Sequence, residues 1–443
     1  MKTVTLKPRV VQVIEEADIC VIGGSCTGVF AAIRAAKLGA KVVIVEKQNR
    51  FGGVAVSGLI HVWHSLYDIE QKEQIIAGLS LEVLERLNKR DAVTGFGGKR
   101  HFMLNSEELA IELDELIIES KIKPFLHTMF TEPYVVDGKL AGIVVENKSG
   151  PGIIKAKVFI DASGDADLCE RVNLTTYTPG DAQPPTTCAR FANWPQGDDF
   201  NPAKAINQFR EKYQLPEGFG WGALVPNSNI YMLSGTRVAE AKCADSEDLT
   251  RAEIEGRRQI RAIMDILRNE FNCKSLSLQA LSSYIGIRES RHINSLYKLL
   301  QEDILSGVRF DDAIANGTYP VDIHHRKKPG ITFMRLDGTQ SYNRPGHEPV
   351  VSRWREESAD SPKYYQIPLR SIIPANSDNV ISAGRMIDAD KAAFGAVRVM
   401  MNLNQTGEAA GVAAFLALSE AKKIGEVSCQ QVRKLLHAGG SII

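Results

Sequence analysis

The sequence has no apolar run long enough to span a bilayer. Its first residues, Met1-Lys2-Thr3-Val4-Thr5-Leu6-Lys7-Pro8-Arg9, carry no apolar signal core, so the expected setting is cytoplasmic. Neither sign of charge is in excess: Lys+Arg and Asp+Glu both total 53. That balance argues against nucleic acid or an anionic membrane as the main partner. Cysteine is scarce, with 7 in 443 residues and no C-x-x-C pair, which excludes a disulfide-built scaffold and fits reduced thiols. Cys20 and Cys26 are the close pair, but one falls in a strand and the other in a turn, so no bridge is expected. His61 and His64 have H-x-x-H spacing, yet no third or fourth ligand lies nearby and no metal site is expected. There is no internal repeat. What remains is 44% hydrophobic and 24% charged residues, the balance of a globular enzyme. At 443 residues the chain exceeds one ordinary core, and two or three structural units are expected.

The most informative stretch is Asp18-Ile19-Cys20-Val21-Ile22-Gly23-Gly24-Ser25-Cys26-Thr27-Gly28. Its apolar run suits a parallel strand buried on both faces. The glycine turn then opens a helix of small residues, which Gly39-Ala40 ends before the strand Val42-Val43-Ile44-Val45. Glu46 follows, about 20 residues beyond the turn, where an acid grips ribose hydroxyls. Free N–H groups and the positive end of the helix dipole suit a pyrophosphate. The middle glycine of the usual pattern is Ser25 here, small and able to donate to phosphate. The expected dinucleotide contacts are therefore Gly23, Gly24, Ser25, Cys26, Thr27, Gly28 and Glu46, with Lys47 beside them.

After Glu46 the chain enters a glycine-rich loop at Phe51-Gly52-Gly53-Val54 instead of a second crossover. An extended backbone path leading away from the adenosine suits FAD better than NAD, and adds Gly52, Gly53 and Val54 to the expected contacts. A helix is expected over 106–120 with Ser106 as its cap, and 123–148 reads as a β-meander turning at Asp137-Gly138. Phe159-Ile160-Asp161-Ala162-Ser163-Gly164-Asp165 repeats the strand-then-glycine design, as does Val380-Ile381-Ser382-Ala383-Gly384-Arg385. Strand C-termini of a parallel sheet emerge on one edge, so Ala162, Gly164, Asp165, Gly384 and Arg385 should converge on the first turn. The fold class is α/β: a discontinuous nucleotide domain over residues 1–175 and 370–443, with an inserted mixed α+β substrate domain over 176–369. Within the insertion, 241–271 reads as helix, 276–300 as continued helix, and the stretch from Gly317 to about residue 350 ends in a long loop.

The last expected helix, from about Met400, has a small face at Gly407, Ala410, Gly411 and Ala414 for packing on the sheet. Its start, with Gly395, Val399 and Met400, should lie at the ring end of a flavin, where a positive helix terminus favours the anionic reduced form.

Together these segments resemble the FAD-dependent oxidoreductases, distant relatives of glutathione reductase and of fumarate reductase flavoproteins; some members are labelled xanthan lyase. The resemblance rests on the turn through Gly28, Phe51-Gly52-Gly53, the strand ending at Gly164-Asp165, Gly286-Ile287-Arg288-Glu289-Ser290-Arg291, Tyr319-Pro320-Val321-Asp322-Ile323-His324, Ile367-Pro368-Leu369-Arg370-Ser371 and Ala383-Gly384-Arg385. It implies a glutathione-reductase-like FAD fold. The histidine that carries covalent flavin in fumarate reductase relatives is absent before Gly52-Gly53, so the FAD is expected to be non-covalent. The cysteine pair of the disulfide reductases is absent as well.

Hydride transfer needs a positioned substrate and usually a proton donor or acceptor. Arg288, Arg291 and Arg398 are candidate anion clamps, since a guanidinium binds carboxylate in a fork. His324 or His325 is the candidate acid or base. An ion-pair cluster on a helix is the competing reading of Arg288 and Arg291, and a backbone-bonded loop histidine that of His324. The expected function is oxidation or reduction of a small organic molecule through FAD; the alternative is a flavin-containing lyase or isomerase acting on a carbohydrate without net redox.

Overall fold

Four of the five strands at the centre of the fold are buried along their whole length: Ile19–Ile22, Val42–Val45, Val158–Asp161 and Val380–Ser382. Apolar residues on both faces leave such strands nowhere to go but between two layers. With Lys123–Phe125 they form a parallel sheet in the order 380–382, 158–161, 19–22, 42–45, 123–125. The computed structural model describes residues 3–5, 8–96, 101–195, 200–217 and 221–443. Met1, Lys2, Leu6 and Lys7 of the N-terminal arm lie outside the described residues.

The segment 123–125 was expected in the meander but is the edge of this sheet, where Pro124 costs no interior ladder bond. The meander proper is Met129–Val136, Lys139–Asn147 and Gly150–Lys155. Asp137 and Gly138 both take positive φ at its first turn, as a two-residue hairpin requires. The arm strand Gln12–Glu16 adds to it in parallel.

The helix Cys26–Lys37 covers one face of the parallel sheet. Against it lies the long helix Met400–Glu420. The two glycines of its small face meet the first helix: a Cβ on Gly407 would stand 2.3 Å from the Thr27 carbonyl oxygen, and one on Gly411 2.2 Å from that of Ala31, while the same long helix also packs on the strands Val158–Asp161 and Val380–Ser382 of the sheet. A buried Arg34–Glu408 ion pair joins the two helices. Glu408 also accepts from the Leu79 N–H at 3.0 Å. The helix Ser106–Glu119 is capped by Asn105, which accepts from the Glu107 N–H; Ser106 is buried and caps nothing.

In the second half, Trp221–Leu224, Ile230–Ser234, Cys188–Ala192 and Ser277–Leu281 form an antiparallel sheet in that order. The helix Ser246–Glu270 packs on it through Ile260, Ile263 and Leu267. Two expectations fail here. Residues 276–300 are not helical: after Ser277–Leu281 the chain runs extended, and Gly286 forms a bridge with Thr186 in place of a helical turn. The long loop after residue 325 is a second meander, Val321–His324, Ile331–Met334, Thr339–Asn343 and Val350–Arg353.

Candidate active site

The three strand-to-glycine corners open into one cavity of about 640 Å³, lined by Gly23, Gly164 and Gly384 among others. Close approach explains the first corner. Gly23 has a φ of +107°, and a Cβ there would stand 2.2 Å from the Ala162 carbonyl oxygen. Ser25 caps the first helix by accepting from the Gly28 N–H at 3.3 Å. The Thr27 N–H has no backbone acceptor among the described residues, so the turn presents an unfilled donor at a positive helix end. A Cβ on Gly53 would meet the Ser25 side chain at 2.8 Å, so the second glycine loop lies directly on the first.

Glu46 accepts from the Gly24 N–H at 2.6 Å and the Gln48 N–H at 2.8 Å. A carboxylate has about four acceptor positions, and this one also lines the cavity. Lys47 lies 4.9 Å from the Tyr284 ring centre. Burial acts to lower its pKa, but Tyr284, Asp165, Asp167 and Glu46 raise it above the ordinary lysine value. Asp165 is buried and paired with Arg385. Burial raises its carboxyl, but Arg385, Ser290 and Lys47 outweigh that and hold it below the usual range.

Elsewhere the same cavity is lined by side chains from four separate segments: His64, Arg288, Tyr319 with Asp322 and His324, and Arg398. Asp322 accepts from the Tyr319 hydroxyl at 2.8 Å and from Arg398 at 3.0 Å through one oxygen. Its other oxygen lies 3.3 Å from His324 Nε2. Burial acts to raise the Asp322 carboxyl, but His324 and Arg398 overcome it and keep the group ionised well below the carboxylate range. Burial pushes His324 down to about 4, helped by Arg288 and opposed by Asp322. His64 is likewise pushed to about 4 by burial, with its ring 4.2 Å from that of Tyr319. Arg288 falls to about 10 through burial and the like charge of Arg398, and is still a cation at neutral pH. Val399 and Met400, at the start of the long helix, line the cavity too.

Of the residues expected at the site, Ser25, Cys26, Thr27, Glu46 and Lys47 line this cavity, as do Gly52, Gly53, Val54, Ala162, Asp165 and Arg385. Four do not. Gly24 turns its α-carbon onto Phe51, where a Cβ would stand 2.4 Å from the ring. Gly28 packs on the Gly23 carbonyl and is a helix–strand contact. Gly395 packs on the backbone of Asp322, whose carbonyl oxygen a Cβ would meet at 2.7 Å. Arg291 faces away and holds the Asp165 carbonyl at 2.8 Å and the Asp167 carboxylate; neither it nor Arg288 is on a helix. His325 bonds Thr332 at 2.8 Å outside the cavity. Asp322, Tyr319 and Tyr284 were given no role from sequence. The strand Val321–His324 carried a signal for the first: alternation places Asp322 and His324 on one face.

Among known families, the one described as FAD dependent oxidoreductase matches residues 18–436. The chain belongs to that family. That family is one of oxidoreductases that use FAD as cofactor. Over 161 residues it is 33% identical to mitochondrial dihydrolipoyl dehydrogenase from Schizosaccharomyces pombe, covering 34% of this chain and 28% of that one. Over 157 residues it is 26% identical to thiamine thiazole synthase from Methanococcus aeolicus, covering 34% and 55%. The matches thus span less than two thirds of these relatives' own lengths. A geranylgeranyl bacteriochlorophyll reductase-like protein from Thermoplasma acidophilum has a similar fold, with a TM-score of 0.50 at 13% identity over 96% of this chain and 83% of that one. The glycine cradle, the unfilled Thr27 donor and the Glu46 carboxylate fit the diphosphate and ribose of the family's FAD. No helix among the described residues is long and apolar enough to cross a membrane.

Proposed function

We propose that this enzyme moves a hydride between a small organic substrate and non-covalently held FAD, with chemistry in the chamber of Arg288, Tyr319, Asp322, His324 and Arg398. The carrying observation is that this chamber and the glycine corners share one cavity. The residues that would hold the cofactor are the Gly23–Gly28 turn for the diphosphate, Glu46 for ribose, and Val399 with Met400 toward the ring. Bound FAD supplies a two-electron hydride acceptor or donor. His324 is neutral at working pH and serves as the proton acceptor when substrate is oxidised. Asp322 orients its Nε2 and offsets the charge that the imidazole gains. Arg398 keeps Asp322 ionised, and the Tyr319 hydroxyl fixes the carboxylate plane.

Residues 176–369 form the substrate-side unit in this reading. It is supported by the origin of the chamber: four of its five residues, Arg288, Tyr319, Asp322 and His324, lie within that span, with Arg398 joining them from beyond it, whereas the three glycine corners lie outside it. Anaerobic mixing with carboxylic acid and sugar panels tests the function. A true substrate bleaches the oxidised flavin spectrum, and product formed without any flavin cycling refutes hydride transfer. Acid precipitation releases all of the yellow colour if the cofactor is non-covalent; colour retained in the pellet refutes that.

A further inference from the structure

The charges in the chamber do not cancel. Arg398 is paired with Asp322 at 3.0 Å, and Asp322 is further engaged by Tyr319 and His324. His324 and His64 are neutral at pH 7. Arg288 donates to the Pro184 carbonyl at 2.6 Å and has no carboxylate within ion-pair distance among the described residues. Four of its five donors are left for a ligand. Among the described residues of the chamber, two cations and one anion therefore leave one positive charge. The exposed His101, in contact with solvent, stands outside this count.

The same cavity also has an apolar surface, beside Asp322 and His324. In the second meander Asp322 pairs across the strands with Phe333, and His324 with Ile331. Directly paired residues share a face, and both apolar side chains line the cavity, as does Trp221.

We propose that the substrate is a small monocarboxylate with an apolar body: Arg288 takes its carboxylate, and Ile331 and Phe333 take the remainder. This deepens the reading given above and rests on it for the flavin chemistry, but binding to oxidised holoenzyme needs no turnover. A second carboxylate would find no further uncompensated cation among the described residues that line the chamber. An uncharged analogue would leave the Arg288 donors unmet, at a cost of about tenfold or more in affinity.

The test is titration of the oxidised, flavin-loaded protein, followed by flavin difference spectra and calorimetry. The probes are straight-chain monocarboxylates from acetate to decanoate, phenylacetate, the matching primary amides, and the dicarboxylates of equal length. Monocarboxylates should bind more tightly as the chain grows, and about tenfold or more tighter than their amides and than the dicarboxylates. Arg288→Met should erase the preference for acid over amide, while Arg288→Lys retains part of it with flavin content unchanged. Amides that bind as well as acids, dicarboxylates that bind best, or no binding by any probe would each overturn the inference. So would an Arg288→Met protein that keeps its preference for the acid and changes only the flavin's reduction potential, because the charge would then serve the reduced cofactor. Failure of hydride transfer reads differently: monocarboxylates bind with the stated preference, yet no compound bleaches the flavin.

Discussion

The two ends of the cavity, the one proposed for the diphosphate and the one proposed for the substrate, are built in opposite ways. The diphosphate end is made of backbone: three glycine corners, the start of one helix, and a carboxylate that holds the turn by its N–H groups. The substrate end is made of side chains brought from positions 64, 288, 319–324 and 398, held by a buried carboxylate. A backbone cradle is set by local sequence and tolerates almost no added atom. A side-chain chamber is set by topology, and its members can be exchanged singly with the fold intact. The contrast predicts that substitutions at the first end remove the cofactor, and that those at the second remove activity while the protein stays yellow.

The largest effect should come from Gly23→Ala. The clash with the Ala162 carbonyl and the positive φ together cost about 3 kcal/mol or more, so the variant should purify without flavin. Full flavin absorbance in that variant would break the contrast at its firmest point. Next is Asp322→Asn. It leaves Arg398 unpaired and His324 without its anion, and kcat/KM should fall about 100-fold or more with flavin content unchanged. Loss of flavin in this variant would merge the two ends.

Acid should act on the substrate end. His64 and His324 have folded values near 4, against 6.5 for the free side chain. Between those values the unfolded chain binds protons that the folded one does not. Stability is therefore complete above about pH 6.5 and is lost progressively as pH falls toward 4. Urea midpoints measured across that window check the sign, and a His64→Phe/His324→Asn double variant should show a shallower fall.

Arg291→Ala should be milder. It frees Asp167 and the Asp165 carbonyl behind the cavity, so the FAD dissociation constant should rise by up to about tenfold with little change in kcat. Last, Arg257→Ala removes an exposed helical ion pair with Glu253, and its effect on stability should stay within about 0.5 kcal/mol.

The same contrast explains what could be read from the chain. Strand, turn and helix from Ile19 to Lys37 follow from local rules, and so does the convergence of Gly164 and Gly384 on one sheet edge. The segment 276–300 misled because its apolar residues also serve an extended path, which Gly286 fixes by bridging to Thr186. Residues 325–350 hid their strands because Thr339–Asn343 is polar on both faces, which leaves no alternation to detect. Gly395 and Gly24 were read as cofactor contacts because a glycine near a turn does not say whether a ligand or the protein's own backbone fills the space. Asp322 is the instructive omission: His324 was a candidate and its same-face neighbour two residues earlier was an acid.

The contact between Gly407 and Thr27 acts as a fixed ruler. Thr27 stands at the phosphate turn, and Met400, seven residues before Gly407, begins the long helix at the opposite chamber. At 1.5 Å per residue that length of helix measures roughly 10 Å, and with no side chain at Gly407 there is nothing to compress. The gap between the two ends is thereby gauged by a rigid rod, and a flavin with a shortened ribityl chain, whose ring and phosphate stand closer together, would reach one end of the scale only by leaving the other.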